Sequence, residues 1–220
     1  MRVLILGATG TAGSGLLRAC LRTPEVRDVR VVARHDPGVS HEKLTVVLHD
    51  DYRDFAPVGD AFAGVEACLY ALGISVRQAS SEAEYRRITH DFAMAAARQL
   101  RSSSPAAVLH FISGQGTRLD SRFMWARVKA QTERDLAAVT ATVCWRPGFI
   151  DGGAVATGPR LYRALRPVFR LLRGARHLYV TSEDIGHAML RATAEGLREG
   201  VIENARIRAL AEQARVSDRR

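Results

Sequence analysis

The stretch that most constrains the fold is "RVLILGATGTAGSGLL" at residues 2–17, where three glycines follow a short apolar run. Gly7 lets the chain turn tightly off a strand, Gly10 lets a ligand approach the backbone, and Gly13 lets the next helix pack close to the sheet. Free N–H groups at the start of that helix would face a pyrophosphate. The stretch therefore predicts a strand–turn–helix unit that binds a dinucleotide. Its predicted contacts are Gly7, Thr9, Gly10, Thr11, Ala12 and Gly13.

Further apolar runs alternate with helical patterns along the chain. The predicted strands cover residues 2–6, 29–33, 44–48, 67–72, 107–112 and 142–146. The predicted helices cover residues 13–22, 81–101 and 122–138, and serines that can cap a helix open the second of these. Short runs that are apolar throughout and joined by helices are typical of a parallel sheet covered on both faces. We predict an α/β fold with a doubly wound parallel sheet, the Rossmann arrangement.

The alternation stops after residue 148. We expect one domain over residues 1–220, with residues 149–181 forming a small lobe over the carboxyl edge of the sheet, where ligands bind in such folds. Within this part, residues 177–181 ("HLYVT") are predicted to form a short strand, and Ser182 is predicted to cap the helix that follows.

Composition excludes several classes of protein. A hydrophobic share of 47% suffices for a full core, and no run approaches the roughly 18 apolar residues of a membrane span. The opening residues read as a buried strand rather than a signal peptide. Cys20, Cys68 and Cys144 lie in apolar segments without metal-ligand spacing, so we expect reduced core thiols, no metal and a cytoplasmic location.

The net charge is +9, and residues 158–177 carry six arginines and no acid, spaced along one helical face. Such a segment can be the solvated face of a lobe helix, which we favour, or a surface for a membrane or an acidic partner. Direct nucleic-acid binding is not favoured, because the segment lacks the interleaved aromatic residues of a single-strand platform.

Two positions bear on which dinucleotide binds. The second strand is followed by Arg34, where an NAD enzyme usually has an acid for the ribose 2′-hydroxyl. An arginine suits a 2′-phosphate instead, so we predict NADP, with NAD as the alternative. The third strand ends at Asp50 and Asp51, either of which could take an adenine amino group or simply belong to a solvated turn.

With these features the chain resembles the short-chain dehydrogenase/reductase superfamily, and more narrowly its atypical branch, typified by Tat-interacting-protein-type oxidoreductases. The resemblance is carried in order by "GATGTAGSGLL", "DAFAGVEACLYALG", "FISGQG", "FMWARVKAQTE", "WRPGFIDG" and "VIENARIRALA", which cover most of the chain. It implies further cofactor contacts from Leu72, Gly73, Lys129, Pro147, Gly148 and Phe149.

The resemblance also implies a Ser–Tyr–Lys catalytic site, in which Ser113 holds the substrate oxygen and Lys129 holds the ribose. The tyrosine, four residues before the lysine, is Trp125 here. A phenol can titrate beside a cation, whereas an indole N–H only donates a hydrogen bond. We therefore expect Ser113, Trp125 and Lys129 to form a site whose proton-transfer member has been exchanged.

Other groups could move the proton, although none lies at motif spacing: Tyr70, His110, Asp151, Tyr162, Tyr179 and His187. Two functions remain open. One is an NADP-dependent oxidoreductase acting on a small carbonyl or quinone-like molecule. The other is a catalytically weak NADP(H) sensor that acts through a protein partner. The sequence does not define the oligomeric state.

Overall fold

The structure is a computed structural model and describes residues 1–152 and 178–217. Its nine strands within that part are β1 (Arg2–Leu6), β2 (Asp28–Ala33), β3 (Leu44–Leu48), β4 (Ala67–Tyr70), β5 (Val108–Ile112), β6 (Thr142–Arg146), β7 (Phe149–Asp151), β8 (Tyr179–Thr181) and β9 (Gly200–Glu203). Seven of these form one sheet in the order β3-β2-β1-β4-β5-β6-β9, with parallel pairing throughout. β7 and β8 form a separate parallel pair.

Helices cover both faces of the sheet. They are α1 (Gly13–Arg22), α2 (Glu82–Arg86), α3 (Phe92–Ser103), α4 (Met124–Val139), α5 (Ser182–Ala194) and α6 (Asn204–Ser217), with a 3₁₀ segment at Ala56–Phe62 and a π-helical turn at Arg87–Asp91. α1, α5 and α6 pack together on one face, and α3 and α4 pack on the other. This is the doubly wound α/β fold that the sequence predicted, and the prediction is confirmed.

The first strand shows why the sheet is buried on both sides. Val3 and Ile5 belong to the core beneath α1 and α5, whereas Leu4 and Leu6 belong to the core beneath α3. All four are fully buried. Alternating side chains of one strand therefore enter two separate cores, which explains why the run is apolar at every position rather than at every second one.

Three local predictions differ from the structure. Thr181, not Ser182, caps α5: its hydroxyl accepts from the Asp184 N–H at 3.0 Å, while Ser182 is buried as the first helical residue. The helix predicted over residues 81–101 begins after its Ser81 cap as expected, but a π-helical turn divides it. The strand predicted over residues 67–72 ends at Tyr70. The sequence reading did not identify β9 as a strand.

The predicted lobe at 149–181 is described only at its two ends. β7 and β8 bring these ends side by side, with Phe149 opposite Tyr179 and Asp151 opposite Thr181. Residues 153–177, which include the arginine-rich segment 158–177 and Tyr162, lie outside the described residues.

Candidate functional site

The glycine turn joins β1 to α1 and lies beside the carboxyl end of β4, where the strand order changes direction. Gly7 has a φ of +87°, and a side-chain carbon on it would lie 2.7 Å from the Ala71 carbonyl carbon and the Leu72 nitrogen. A side-chain carbon on Gly13 would lie 1.9 Å from the Gly7 oxygen. Both positions therefore require glycine, and they bring α1 against the sheet at the crevice where doubly wound folds bind ligands.

The beginning of α1 can bind an anion. Within the part of the chain that the structure describes, the backbone N–H groups of Thr11, Ala12 and Gly13 have no hydrogen-bond acceptor. The Ala12 cap position has no side-chain hydrogen bond, and the first turn of α1 contains no acid that would repel a phosphate. Thr9, Gly10 and Thr11 are exposed. This geometry fits the pyrophosphate of a dinucleotide.

Arg34 and Asp50 lie at neighbouring strand ends on the same edge of the sheet. Arg34 directly follows β2, and β3 pairs with β2 up to Ala33 and Leu48, which places Asp50 just beyond. Both side chains are exposed. The Arg34 guanidinium carbon lies 6.0 Å from the centroid of the Tyr52 ring. Sequence reasoning missed Tyr52, because nothing local in "HDDYRD" shows that its ring folds back beneath Arg34.

Leu72 and Gly73 follow β4 beside the glycine turn. The Leu72 backbone lies against Gly7, as described above, and its side chain packs partly against the core beneath α3. Gly73 has open space where a side-chain carbon would lie. These two residues therefore border the crevice.

Ser113 follows β5 and is buried. Its hydroxyl lies 3.1 Å from that of Thr117, and the Thr117 hydroxyl donates to the Gly114 carbonyl at 2.7 Å. Because the Thr117 hydroxyl already donates its only proton to the Gly114 carbonyl, the Ser113 hydroxyl must be the donor between the two hydroxyls. In this arrangement Ser113 presents only lone pairs to a ligand, unless its hydroxyl rotates away from Thr117.

Lys129 lies on α4 and reaches back to the end of β5. Its Nζ donates to the Ser113 carbonyl at 2.5 Å and to the Ile112 carbonyl at 3.4 Å, so one of its three protons is not used by these two bonds. Burial lowers the pKa of the Lys129 amine to about 8, against an opposing effect of the Glu133 carboxylate. Lys129 can therefore change its protonation state close to neutral pH.

Trp125 and Lys129 meet at Gly114. A side-chain carbon on Gly114 would lie 3.6 Å from the Trp125 ring and 3.8 Å from Lys129 Nζ. Gly114 and Trp125 also line a cleft of about 410 Å³, together with Gln115, Pro147, Gly148, Phe149 and Leu178. The structure thus brings Trp125, Pro147, Gly148 and Phe149 together at this cleft, while Ser113 precedes its Gly114 and Lys129 binds the Ser113 carbonyl.

The walls of the cleft continue into an exposed aromatic stack. The Phe123 ring lies parallel to that of Trp125 with centroids 6.5 Å apart, and the Arg122 guanidinium carbon lies 4.8 Å from the Phe123 centroid. Phe123 is 50% exposed and Leu178, in the cleft wall, is 49% exposed. Large apolar surfaces of this kind on a cleft favour a flat, apolar ligand.

The opposite wall depends on Asn204, which the sequence analysis did not single out. Its side-chain oxygen accepts from the Gly148 N–H at 2.8 Å, and its amide donates to the Tyr179 carbonyl at 3.3 Å. Phe149 N–H also donates to the Leu178 carbonyl at 2.7 Å. Three residues after Phe149, a side-chain carbon on Gly152 would lie 2.7 Å from the Thr11 side chain. The chain segment that forms this wall therefore continues from Phe149 to the glycine turn.

An ion pair joins α4 to the strand that precedes this wall. Arg146 binds both oxygens of Glu133, with Nε at 3.0 Å and Nη2 at 2.6 Å. Glu133 is one turn beyond Lys129 and is buried, and the more exposed Glu203 contacts Arg146 at 3.3 Å. The pair raises the pKa of Arg146. It connects the segment carrying Trp125 and Lys129 to the turn carrying Pro147 and Gly148.

Other candidate proton donors differ in their surroundings. His110 and Tyr70 are buried in the two cores. Burial lowers the pKa of His110 to about 3 and raises that of Tyr70 well above its ordinary value. The Tyr179 hydroxyl donates to Asp151 at 2.5 Å on the β7–β8 pair. His187 lies on α5. None of these side chains lines the cleft with Trp125.

Residues 1–152 and 178–217 contain no group of three His, Cys, Asp or Glu side chains placed to hold a metal ion. None of the helices found there has the length and apolar character needed to cross a bilayer.

Comparison with known proteins found relatives of moderate similarity, and no family profile matches the chain. Protein fmp52, mitochondrial, of Aspergillus fumigatus is 28% identical over 157 residues, which is 68% of this chain and 67% of that protein. Protein FMP52, mitochondrial, of Saccharomyces cerevisiae is 24% identical over 180 residues, which is 74% of this chain and 78% of that protein. These relatives are named as mitochondrial, which contradicts the predicted cytoplasmic location; that prediction is wrong.

Solved structures share the fold over nearly the whole chain. An oxidoreductase of the short-chain dehydrogenase/reductase family from Burkholderia thailandensis has a TM-score of 0.68 at 15% identity, covering 98% of this chain and 97% of the other. A dTDP-glucose 4,6-dehydratase from Streptomyces venezuelae, solved with NAD bound, has a TM-score of 0.70 at 17% identity, covering 99% and 81%. The fold is that of short-chain dehydrogenases, as the resemblance implied.

Proposed function

We propose that this protein is an NADP-dependent oxidoreductase of the atypical short-chain type, the branch typified by Tat-interacting-protein-type oxidoreductases, that reduces a flat, apolar carbonyl or quinone-like acceptor. The observation that supports this most is the meeting of Trp125 and Lys129 at Gly114, beside a cleft whose far wall is formed by the segment that continues to the glycine turn. A dinucleotide held at that turn could therefore extend towards the cleft.

The residues of the chain fit the parts of the dinucleotide. The free N–H groups of Thr11, Ala12 and Gly13 would hold its pyrophosphate. Arg34 would bind a 2′-phosphate, and Asp50 would accept from the adenine amino group. Lys129, Pro147, Gly148 and Phe149 would border the nicotinamide and its ribose. When bound, the nicotinamide supplies a hydride, which carries the two electrons of the reduction.

Trp125 selects the acceptor by shape rather than by acid chemistry. Its indole stacks with Phe123 and can donate one hydrogen bond, but it cannot release a proton in the accessible pH range. An acceptor ring lying on this surface would be held by stacking. A quinone-like acceptor suits such a site, because its reduced oxygen is a weaker base than an alkoxide and needs a proton less urgently.

Lys129 supplies the proton that the oxygen still requires. It lies beside the Trp125 ring, and one of its N–H groups is not used by the carbonyls of Ile112 and Ser113. Its pKa of about 8 means that the Lys129 side chain is mostly protonated at neutral pH. The oxygen gains this proton while the acceptor gains the hydride. The amine left on Lys129 then regains a proton from water.

Nucleotide titration with acceptor turnover tests this proposal. The purified protein is titrated with NADPH and with NADH by nicotinamide fluorescence, and quinones and carbonyls are then added while absorbance of the reduced nucleotide is followed. We expect tighter binding of NADPH, followed by its oxidation by quinones. Failure to bind either nucleotide would show that the glycine turn does not hold a dinucleotide.

One observation favours a second function, an NADP(H) sensor acting through a protein partner. The apolar side chains of Leu119, Phe123 and Leu178 are about half exposed, and such surface often serves protein contacts. Tight nucleotide binding without turnover of any acceptor would favour this alternative. A gain of partner binding on addition of NADPH would then be the measurement to make.

A further inference from the structure

We propose that Tyr52 is a positioning residue for cofactor selectivity: it holds the Arg34 guanidinium at the end of β2, where a 2′-phosphate would lie. This inference rests on the proposed function, because it concerns the same dinucleotide. It assigns a role to a residue outside the glycine turn and outside the cleft.

Tyr52 is itself held firmly. It is 7% exposed, and its ring is stacked on Phe55 with centroids 5.8 Å apart and an interplanar angle of 21°. Phe92 of α3 meets the same ring edge-on at 5.9 Å. The His49 ring centroid lies 6.3 Å from that of Tyr52. Contacts from three directions leave the Tyr52 ring little freedom, so it can serve as a fixed platform.

Arg34 contacts this platform through the face of the Tyr52 ring. Its guanidinium carbon is 6.0 Å from the ring centroid, at the outer limit of a cation–π contact. Burial raises the pKa of the Tyr52 phenol, and the nearby Arg34 charge opposes that rise. The Arg34 guanidinium therefore lies over the ring face of Tyr52.

Arg34 has no competing anion. Over residues 1–152 and 178–217, no carboxylate lies within ion-pair distance of its guanidinium, and its side chain is exposed. The nearby Asp36 carboxylate accepts a hydrogen bond from the Gly38 N–H at 2.7 Å, within its own loop, and forms no ion pair with Arg34 in the described part of the chain. An exposed arginine without a partner samples many rotamers, and one contact with a rigid ring reduces the freedom lost when it binds a phosphate.

The test compares dissociation constants of NADPH and NADH, measured by nicotinamide fluorescence, in the wild type and in variants of the full chain. We expect Arg34→Ser to lower the preference for NADPH about tenfold or more, because it removes a charge-assisted contact to phosphate. Tyr52→Leu should lower the same preference about two- to fivefold while leaving NADH affinity nearly unchanged.

Two variants separate positioning from folding. Phe55→Leu removes a ring from the same aromatic cluster, in which the Phe55 and Phe62 ring centroids lie 5.3 Å apart. The removed ring is not the one that contacts Arg34. Phe55→Leu should lower thermal stability as Tyr52→Leu does and leave the nucleotide preference unchanged. Tyr52→Phe keeps the ring and loses the hydroxyl. If this variant prefers NADPH over NADH as strongly as the wild type does, the ring makes the contact with Arg34. If its preference is as weak as that of Tyr52→Leu, the hydroxyl makes it.

The outcomes are distinguishable. An unchanged preference in Tyr52→Leu, with a reduced one in Arg34→Ser, overturns the role of Tyr52 and leaves the proposed function intact. A loss of preference in Phe55→Leu equal to that in Tyr52→Leu also overturns it, since the effect would then follow from general loosening. If the wild type shows no preference or Arg34→Ser does not alter it, the assignment of Arg34 fails, and the inference fails with it.

Discussion

The Trp145 indole Nε1 donates a hydrogen bond of 3.0 Å to Nδ1 of His110, in the middle of the sheet. Nδ1 is therefore an acceptor, and the ring proton lies on Nε2, which donates to the Thr193 hydroxyl at 2.9 Å. Thr193 in turn donates to the Met189 carbonyl at 2.9 Å. The side-chain polar atoms of Trp145, His110 and Thr193 are all satisfied with a neutral His110, which assigns the residue to structure rather than to proton transfer.

The first prediction concerns acid stability. Burial lowers the pKa of His110 from 6.5 to about 3 in the folded protein, so between these values the unfolded chain binds more protons. The free energy of unfolding should fall as the pH is lowered through this window, with His110 contributing up to about 1.4 kcal/mol per pH unit. Urea denaturation at a series of pH values measures the slope. His110→Phe should make it shallower, and an equal slope in that variant would contradict the prediction.

The second prediction concerns Lys129. Its pKa is lowered from 10.5 to about 8, so the rate of acceptor reduction should decline as the pH rises through about 8, because the proton donor is lost. Stability should change in the opposite sense: the unfolded chain holds more protons between about 8 and 10.5, and the free energy of unfolding should rise over that range. Lys129→Arg keeps the charge without titrating and should abolish the inflection. A wild-type rate profile that is level across pH 8 would argue against Lys129 as the donor.

The third prediction concerns Trp125. Trp125→Tyr introduces a phenol beside Lys129 and should raise turnover on simple carbonyl acceptors by roughly tenfold or more, because a positioned acid becomes available. Trp125→Phe, which has a ring but no acid, serves as the matched control and should show no gain. Steady-state kinetics with NADPH measures both variants. The idea of an exchanged acid–base residue fails if Trp125→Tyr binds NADPH normally and gains nothing.

The fourth prediction concerns the ion pair between Glu133 and Arg146. Glu133→Gln leaves a largely buried guanidinium without its bidentate partner and should lower the free energy of unfolding by about 3 kcal/mol. It should also move the Lys129 inflection to lower pH, since Glu133 opposes the lowering of that pKa. Glu203→Gln removes the exposed partner of the same arginine and should cost under about 1 kcal/mol. Equal losses in the two variants would show that burial of the pair does not decide its strength.

The fifth prediction concerns the Tyr70 hydroxyl, which is buried and has no hydrogen-bond partner in the part of the chain that the structure describes. Tyr70→Phe removes an unsatisfied polar atom and should raise the free energy of unfolding by about 1 kcal/mol. Tyr179→Phe is the matched control, because the buried Tyr179 hydroxyl donates to Asp151, and loss of that bond should lower stability by at least a similar amount. Chemical denaturation measures both changes. Destabilisation by Tyr70→Phe would mean that its hydroxyl has a partner.

Much of the fold followed from local sequence. The spacing of Gly7, Gly10 and Gly13 after an apolar strand predicted the turn, because the need for glycine arises from backbone conformation and close approach within a few residues. Trp125 and Lys129, four residues apart, were expected on one helix face, and both side chains do lie beside Gly114. Ser113 was expected nearby because the family resemblance implies a Ser–Tyr–Lys site.

What the tertiary structure decided were the contacts between residues far apart in the chain. Lys129 is held by the carbonyls of Ile112 and Ser113, Asn204 bridges Gly148 and Tyr179, and Tyr52 lies beneath Arg34. None of these relationships is encoded in residue spacing, since each depends on how separate elements pack. Spacing along the chain determines which faces a helix or strand presents. The protonation and orientation of a side chain depend on the burial and the partners that packing brings to it.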